Sequence, residues 1–191
     1  MRAAVEADLH REVVDTVRLL LSFLARRWPE RVGHCREAAR VARRLADVAA
    51  LMPEEAQGVQ VAALLQDVGL IALPDALLRG NSVGLPPAQQ SLYQQHPAIA
   101  AEALGSGNFA QIGAWIRHHH ERWDGYGYPG GLAGEEIPLP ARIVTLATAY
   151  VEAASREGVT AVAWRREQVS SGAFDPSLLR LLEQVVRRRN V

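Results

Sequence analysis

The chain contains no lysine: all 21 of its basic residues are arginine, set against 21 aspartates and glutamates. Neither sign of charge prevails, so nothing in the balance draws the protein to nucleic acid or to an anionic membrane surface. Cysteine is nearly absent as well. The single Cys35 excludes an intrachain disulfide and points to a reducing, cytoplasmic setting. No apolar run is long enough for a bilayer; the stretch 13–24 is short and carries Asp15 and Arg18. Glu6, Asp8 and Glu12 precede any apolar run, unlike a signal peptide. Long alternating β-branched runs, the mark of strands, are missing too.

What is there is 49% hydrophobic and 22% charged, enough apolar material for a real core in 191 residues. Disorder, collagen-like repeats and disulfide scaffolds are excluded. The expected organisation is an N-terminal extension over 1–14 and one domain over 15–191. Val14, Val17, Leu20, Leu21 and Leu24 recur at helical spacing. A second helix is expected over about 33–51. A third opens at Pro53, where Glu54 and Glu55 suit a helix N-terminus, and runs to about 68. Further helices are expected over 87–104, 108–119, 139–154, 160–170 and 176–189. Only 121–138, rich in glycine and proline, reads as irregular. The fold class is all-α, a bundle with one long Gly/Pro loop.

Six histidines stand out, three of them consecutive: His118, His119 and His120. Successive helical positions turn about 100°, so three adjacent imidazoles cannot all face one ion. Two can where a helix frays, and the glycines from Gly125 place such an end here. Asp67 closes an apolar helix; buried, it must be paired or bind a metal, and frayed, it reaches water. Glu30 and His34 are four apart and could clamp one ion on a shared helix face, or Glu30 could simply be solvated.

The segment HHERWDGYGYPGGLAGEEIPLPARI (119–143) resembles the signature of HD-GYP domains, a subset of the HD metal-dependent phosphohydrolases. Collinear landmarks extend the likeness over about 15–185: GHCREAARVARRLA (33–46), AALLQDVGLIALPDALL (62–78), QQHPAIAAEAL (94–104), RIVTLATAYVEA (142–153) and SGAFDPSLL (171–179). The resemblance implies an HD-type helical bundle and hydrolysis of cyclic di-GMP by two or three clustered iron or manganese ions. Such ions neutralise a phosphodiester and activate a bridging hydroxide. Family members often carry a sensor or receiver domain before this module. With about 15 residues preceding it, the chain is expected to be a stand-alone form or a piece of a longer protein.

Carried over by position, the metal candidates are Glu30, His34, Asp67, His96, His119 and His120. Three positions depart from the pattern. The histidine of the HD pair is Gln66, the lysine three residues after Asp67 is Leu70, and the late aspartate is Thr148. Val151 replaces a further aspartate, and Arg156 is the one remnant of a phosphate-binding arm. One metal site thus loses two of its four ligands, while Asp67, His96, His119 and His120 of the other remain. The expected cofactor is none, or a single divalent ion (iron, manganese or zinc), and catalysis is expected to be lost. The loop keeps Arg122, Asp124, Gly125, Gly127, Tyr128 and Pro129. In the family it is associated with ligand access and with docking of diguanylate cyclase (GGDEF) domains; it could also be present only because the fold needs it.

Expected partners are therefore a diguanylate cyclase or other signalling protein and cyclic di-GMP. A homodimer through helix 9–27 and the Arg187–Arg189 run is a further reading. The alternative is an active metal-dependent phosphodiesterase on an altered one- or two-metal site. The missing lysine is mostly compositional habit, but at position 70 its replacement is leucine, a loss of charge.

Overall fold

The computed structural model describes residues 2–77, 85–155 and 161–187. Its described residues form α-helices, short 3₁₀ turns and loops. They comprise α1 (Arg2–Arg27), α2 (Pro29–Val48), α3 (Pro53–Leu65), α4 (Pro87–Tyr93), α5 (His96–Ala103), α6 (Ala110–Arg117), α7 (Leu139–Ala154), α8 (Ala161–Ser171) and α9 (Pro176–Arg187). The all-α bundle expected from the sequence is what is found. One helix, α1, runs across the 14/15 division. Arg156, Arg188 and Arg189 lie outside the described residues.

α2 is the centre of the bundle and packs against α1, α3, α7 and α9. Val32, Cys35, Ala38, Ala39, Ala42, Leu45 and Ala46 form its buried stripe. Small side chains along that stripe let neighbouring helices approach closely. Leu65 of α3, Ile116 of α6, Ile143 and Leu146 of α7, and Leu178 and Leu182 of α9 complete the core, each at most 1% exposed. Each such side chain contributes about 1.5–3 kcal/mol of burial. No helix among the described residues is long and apolar enough to cross a membrane.

Two boundaries differ from the sequence expectation. α2 begins at Pro29 rather than near Gly33, because proline at a first helical position loses no hydrogen bond. It ends at Val48 with a Schellman closure: Leu51 N–H donates to Ala46 O (3.1 Å) and Ala50 N–H to Asp47 O (3.2 Å). Ala50 takes the left-handed conformation, φ 59°. The expected helix 87–104 is two helices, α4 and α5. Continued through Pro97, the helix would drive the pyrrolidine ring into the Tyr93 carbonyl. The chain breaks at Gln94–Gln95 instead, and that carbonyl receives the His96 side chain.

Between α3 and α4, Val68–Ala72 forms a 3₁₀ turn that packs on α5. At Gly69 a Cβ would lie 2.0 Å from the His96 carbonyl oxygen, so only glycine allows this approach. The turn brings Asp67 against the start of α5.

Candidate metal centre

His96 is the first residue of α5 and is fully buried. Its Nδ1 donates to the Tyr93 carbonyl at 2.8 Å, which leaves the lone pair on Nε2. That Nε2 is buried with no hydrogen-bond partner. α6 ends at Arg117, and the three histidines that follow leave it in a tight turn. His118 swings toward Glu121 (3.4 Å), whereas His119 and His120 turn inward. His119 Nδ1 donates to the Ile116 carbonyl at 2.6 Å, which fixes its tautomer in the same sense. Thr145 of α7 backs the turn by donating to His119 O at 2.7 Å.

The rings of His96, His119 and His120 pack within 4.1–5.4 Å, centroid to centroid. One nitrogen from each lies within 4.8 Å of the other two, the one such group of three among the described residues. Burial, reinforced by the neighbouring imidazoles, holds His119 neutral down to about pH 4 and pushes His120 well below its usual value. His96 is lowered as well, again by burial. Three neutral imidazoles, two of them with the lone pair left on Nε2 and one of those orphaned, fit a borderline divalent cation.

Asp67 is 4% exposed and joins the cluster through His96: its Oδ1 lies 3.8 Å from His96 Nε2. Two atoms held on one ion at about 2.1 Å each can be up to about 4.2 Å apart, so this spacing suits a shared ion. The other oxygen, Oδ2, faces Arg31 Nη1 at 3.7 Å and accepts from the Cys35 thiol at 3.6 Å. Asp67 raises the Arg31 pKa above the ordinary arginine value, and burial raises that of Cys35.

Gln66 is buried beside Asp67, and its Oε1 accepts a 2.6 Å hydrogen bond from the Thr148 hydroxyl. Leu70 is 1% exposed, packed with Leu73 and Leu77 against Trp28, Leu92, Tyr93 and Ile99. It makes an apolar cluster of its own and does not line the cleft. Glu30 is exposed, and His34 donates from Nδ1 to the Glu30 backbone carbonyl at 3.1 Å. Neither joins the three-histidine group.

The 121–138 loop closes over the cluster. Tyr128 stacks on His120, with centroids 4.7 Å apart and planes 15° from parallel. Arg122 grips Asp124 through two hydrogen bonds (2.9 and 2.5 Å), and Asp124 accepts the Tyr126 N–H. Gly127 runs so close to the Glu121–Arg122 backbone that a Cβ would lie 2.3 Å from Arg122 N. The Tyr128–Pro129 bond is cis. A cleft of about 360 Å³ opens between this loop and α7, lined by His119, His120, Arg122, Tyr126, Thr148 and Glu152 among others.

Sequence reasoning missed Arg31, Glu152 and Glu121. Arg31 lies three residues before His34 and Glu152 four after Thr148, each on the helix face of a noted residue. Helical spacing marks both as neighbours of noted residues, but not the pairing between them.

A family profile, that of the HD domain, matches residues 18–177. The cyclic di-GMP phosphodiesterase response regulator RpfG of Xanthomonas campestris is 42% identical over 146 residues, covering 73% of this chain and 38% of that protein. The 3'3'-cGAMP-specific phosphodiesterase 2 of Vibrio cholerae is 31% identical over 186 residues, covering 92% and 35%. The chain thus spans little more than a third of these relatives. Among solved structures, the HDG"Y"P protein Bd1817 of Bdellovibrio bacteriovorus superposes with a TM-score of 0.65 at 22% identity, over 81% of this chain and 51% of that one. The HD domain of the L. monocytogenes phosphodiesterase PgpH, in complex with cyclic-di-AMP, gives 0.63 at 15% identity, over 90% and 96%, which bears on the fold alone. The chain belongs to the HD domain family.

Proposed function

We propose that this domain is a non-catalytic signalling module of cyclic dinucleotide pathways, holding at most one divalent ion and using its loop face to receive a nucleotide or a partner protein. The observation that carries this reading is the 2.6 Å hydrogen bond between Thr148 and Gln66. Both stand where the resemblance places ligands of a second ion. Both are neutral, and each satisfies the other, so neither offers negative charge to a dication.

His96, His119 and His120, with Asp67 at the edge, would hold the one ion. An ion there supplies Lewis-acid charge to a phosphate oxygen. The protein's part is to present fixed tautomers through Tyr93 O and Ile116 O. Tyr128 shields His120 from solvent, and Arg122 and Tyr126 offer a cation and an exposed aromatic ring at the cleft mouth. The relatives' names motivate cyclic di-GMP or cGAMP as ligand; a diguanylate cyclase (GGDEF) protein as partner follows from the resemblance of the 121–138 loop alone.

The test is turnover of cyclic di-GMP and 3'3'-cGAMP with iron or manganese supplied. No hydrolysis above background is expected; measurable turnover overturns the reading. The orphaned His96 Nε2 favours one alternative, a slow phosphodiesterase on a single ion. Hydrolysis abolished by His119→Ala would establish it.

A further inference from the structure

Asp67 turns its two oxygens to different surroundings. Oδ1 looks toward the three-imidazole cluster, 3.8 Å from His96 Nε2. Oδ2 looks the other way, to Arg31 Nη1 at 3.7 Å and the Cys35 thiol at 3.6 Å. The same Nη1 lies 3.6 Å from Glu152 Oε1. Arg31 thus reaches from α2 to the end of α3 and across to α7. Its side chain is 29% exposed while that of Asp67 is 6% exposed, so the pair is largely out of water.

We propose that Arg31 is a built-in cation on the Oδ2 side of Asp67, and that it confines the centre to a single divalent ion on the Oδ1 side. A buried carboxylate requires a positive partner. Neutral imidazoles and a protonated thiol do not provide one, whereas a guanidinium is permanently charged. Around Oδ2 the remaining groups agree with a site already filled by protein. Gln66 and Thr148 are closed on one another. The carboxylate that α7 lacks at 148 reappears one turn on, at Glu152, where it faces Arg31 rather than an ion. A second dication beside Oδ2 would meet a fixed positive charge a few ångströms away and too little negative charge to offset it. Arg31 acts through Asp67 and is a positioning residue, not a catalytic one.

The inference rests on the one-ion reading above, and two measurements separate their failures. The first is zinc or manganese bound per chain after incubation and desalting. Wild type and Thr148→Asp are expected to take about one ion, because Arg31 pairs with the new carboxylate; Arg31→Met/Thr148→Asp is expected to take about two. Two ions in Thr148→Asp with Arg31 in place, or one in the folded double variant, overturns the proposal.

The second is thermal unfolding in chelator. Arg31→Met is expected to lower the melting temperature by about 5 °C, as loss of one member of a largely buried ion pair does. Arg31→Lys should recover most of that loss. In an Asp67→Asn background the Arg31→Met effect should shrink to less than half, since the buried charge is gone and only the half-exposed Glu152 remains opposite Arg31. An undiminished effect in that background overturns the counter-ion role. Wild-type protein that takes up no ion overturns the single ion on the Oδ1 side while the reading of at most one ion stands, two ions in wild type overturn both, and the counter-ion role is decided by the unfolding cycle alone.

Discussion

Glu121 Oε1 accepts the backbone N–H of Gly130 at 2.6 Å, nine residues along the chain. Its Oε2 accepts Leu132 N–H at 3.1 Å, and His118 approaches Oε1 from the other side. The carboxylate is 2% exposed. It therefore works as the internal post on which the 121–138 loop is hung, directly after the histidines that form the cluster.

Hydrogen bonds to a charged acceptor contribute about 1.5–3 kcal/mol each, and an orphaned buried donor costs about 1–3 kcal/mol. Glu121→Gln keeps the shape but turns an N–H₂ toward a backbone N–H. The expected outcome is a loss of roughly 2 kcal/mol in chemical denaturation, with protease cleavage newly concentrated in 121–138. Unchanged stability together with an uncut loop would show that the loop is held by its other contacts, Tyr128 on His120 and Arg122 on Asp124, without Glu121.

A second prediction concerns the neutral pair. Thr148→Val removes the hydroxyl and leaves Gln66 Oε1, 1% exposed as a residue, without the donor that satisfies it. The expected loss is about 1–3 kcal/mol. Gln66→Leu/Thr148→Val, which removes both polar groups, should recover most of it. A double variant as unstable as the sum of the singles would mean that the pair does not interact.

Much of this was readable in the order of residues, and what was not has physical causes. Helical spacing in α1, α3 and α7 follows from apolar stripes, with prolines marking the starts of α3 and α7, so local sequence suffices there. The inward turn of His119 and His120 was expected from a fraying helix end, and α6 does stop at Arg117. The break at Gln94–Gln95 was missed because the apolar pattern continues through it; Pro97 overrides the pattern. Arg31 escaped notice because its partners, Asp67 and Glu152, are 36 and 121 residues away in sequence. Leu70 read as a lost lysine in a pocket, yet it sits in an apolar cluster with Leu73 and Leu77. A side chain's neighbours depend on the tertiary turn that presents it, and no spacing rule encodes that turn.

At the end of α2, Ala50 holds φ 59° in a Schellman closure, the position that favours glycine. An L side chain there costs about 1–2 kcal/mol. Ala50 is exposed, so replacing it disturbs no packing. Ala50→Gly is expected to stabilise the domain by about 1 kcal/mol, less a few tenths for the added freedom of the unfolded chain. The rise in denaturation midpoint, at unchanged slope, measures it. A fall would place the closure elsewhere than at Ala50.

The buried imidazoles make the stability of the metal-free protein depend on pH in a defined direction. His119 keeps its neutral form down to about pH 4 against an ordinary value of 6.5, chiefly because burial disfavours the imidazolium and secondarily because His96 lies beside it. Between those values the unfolded chain takes up a proton that the folded chain refuses. Stability therefore falls as pH falls from about 6.5 to about 4, and this contribution levels off below. A shift of that size corresponds to roughly 3 kcal/mol from His119 alone. His96 and His120 act in the same direction. Denaturation in chelator at a series of pH values should show this slope, and His119→Asn should flatten part of it. If wild type and variant keep the same slope through that window, His119 takes up its proton as readily in the folded chain as in the unfolded one. Its ring would then be open to water, and the inward lone pair on which the three-histidine site depends would be lost.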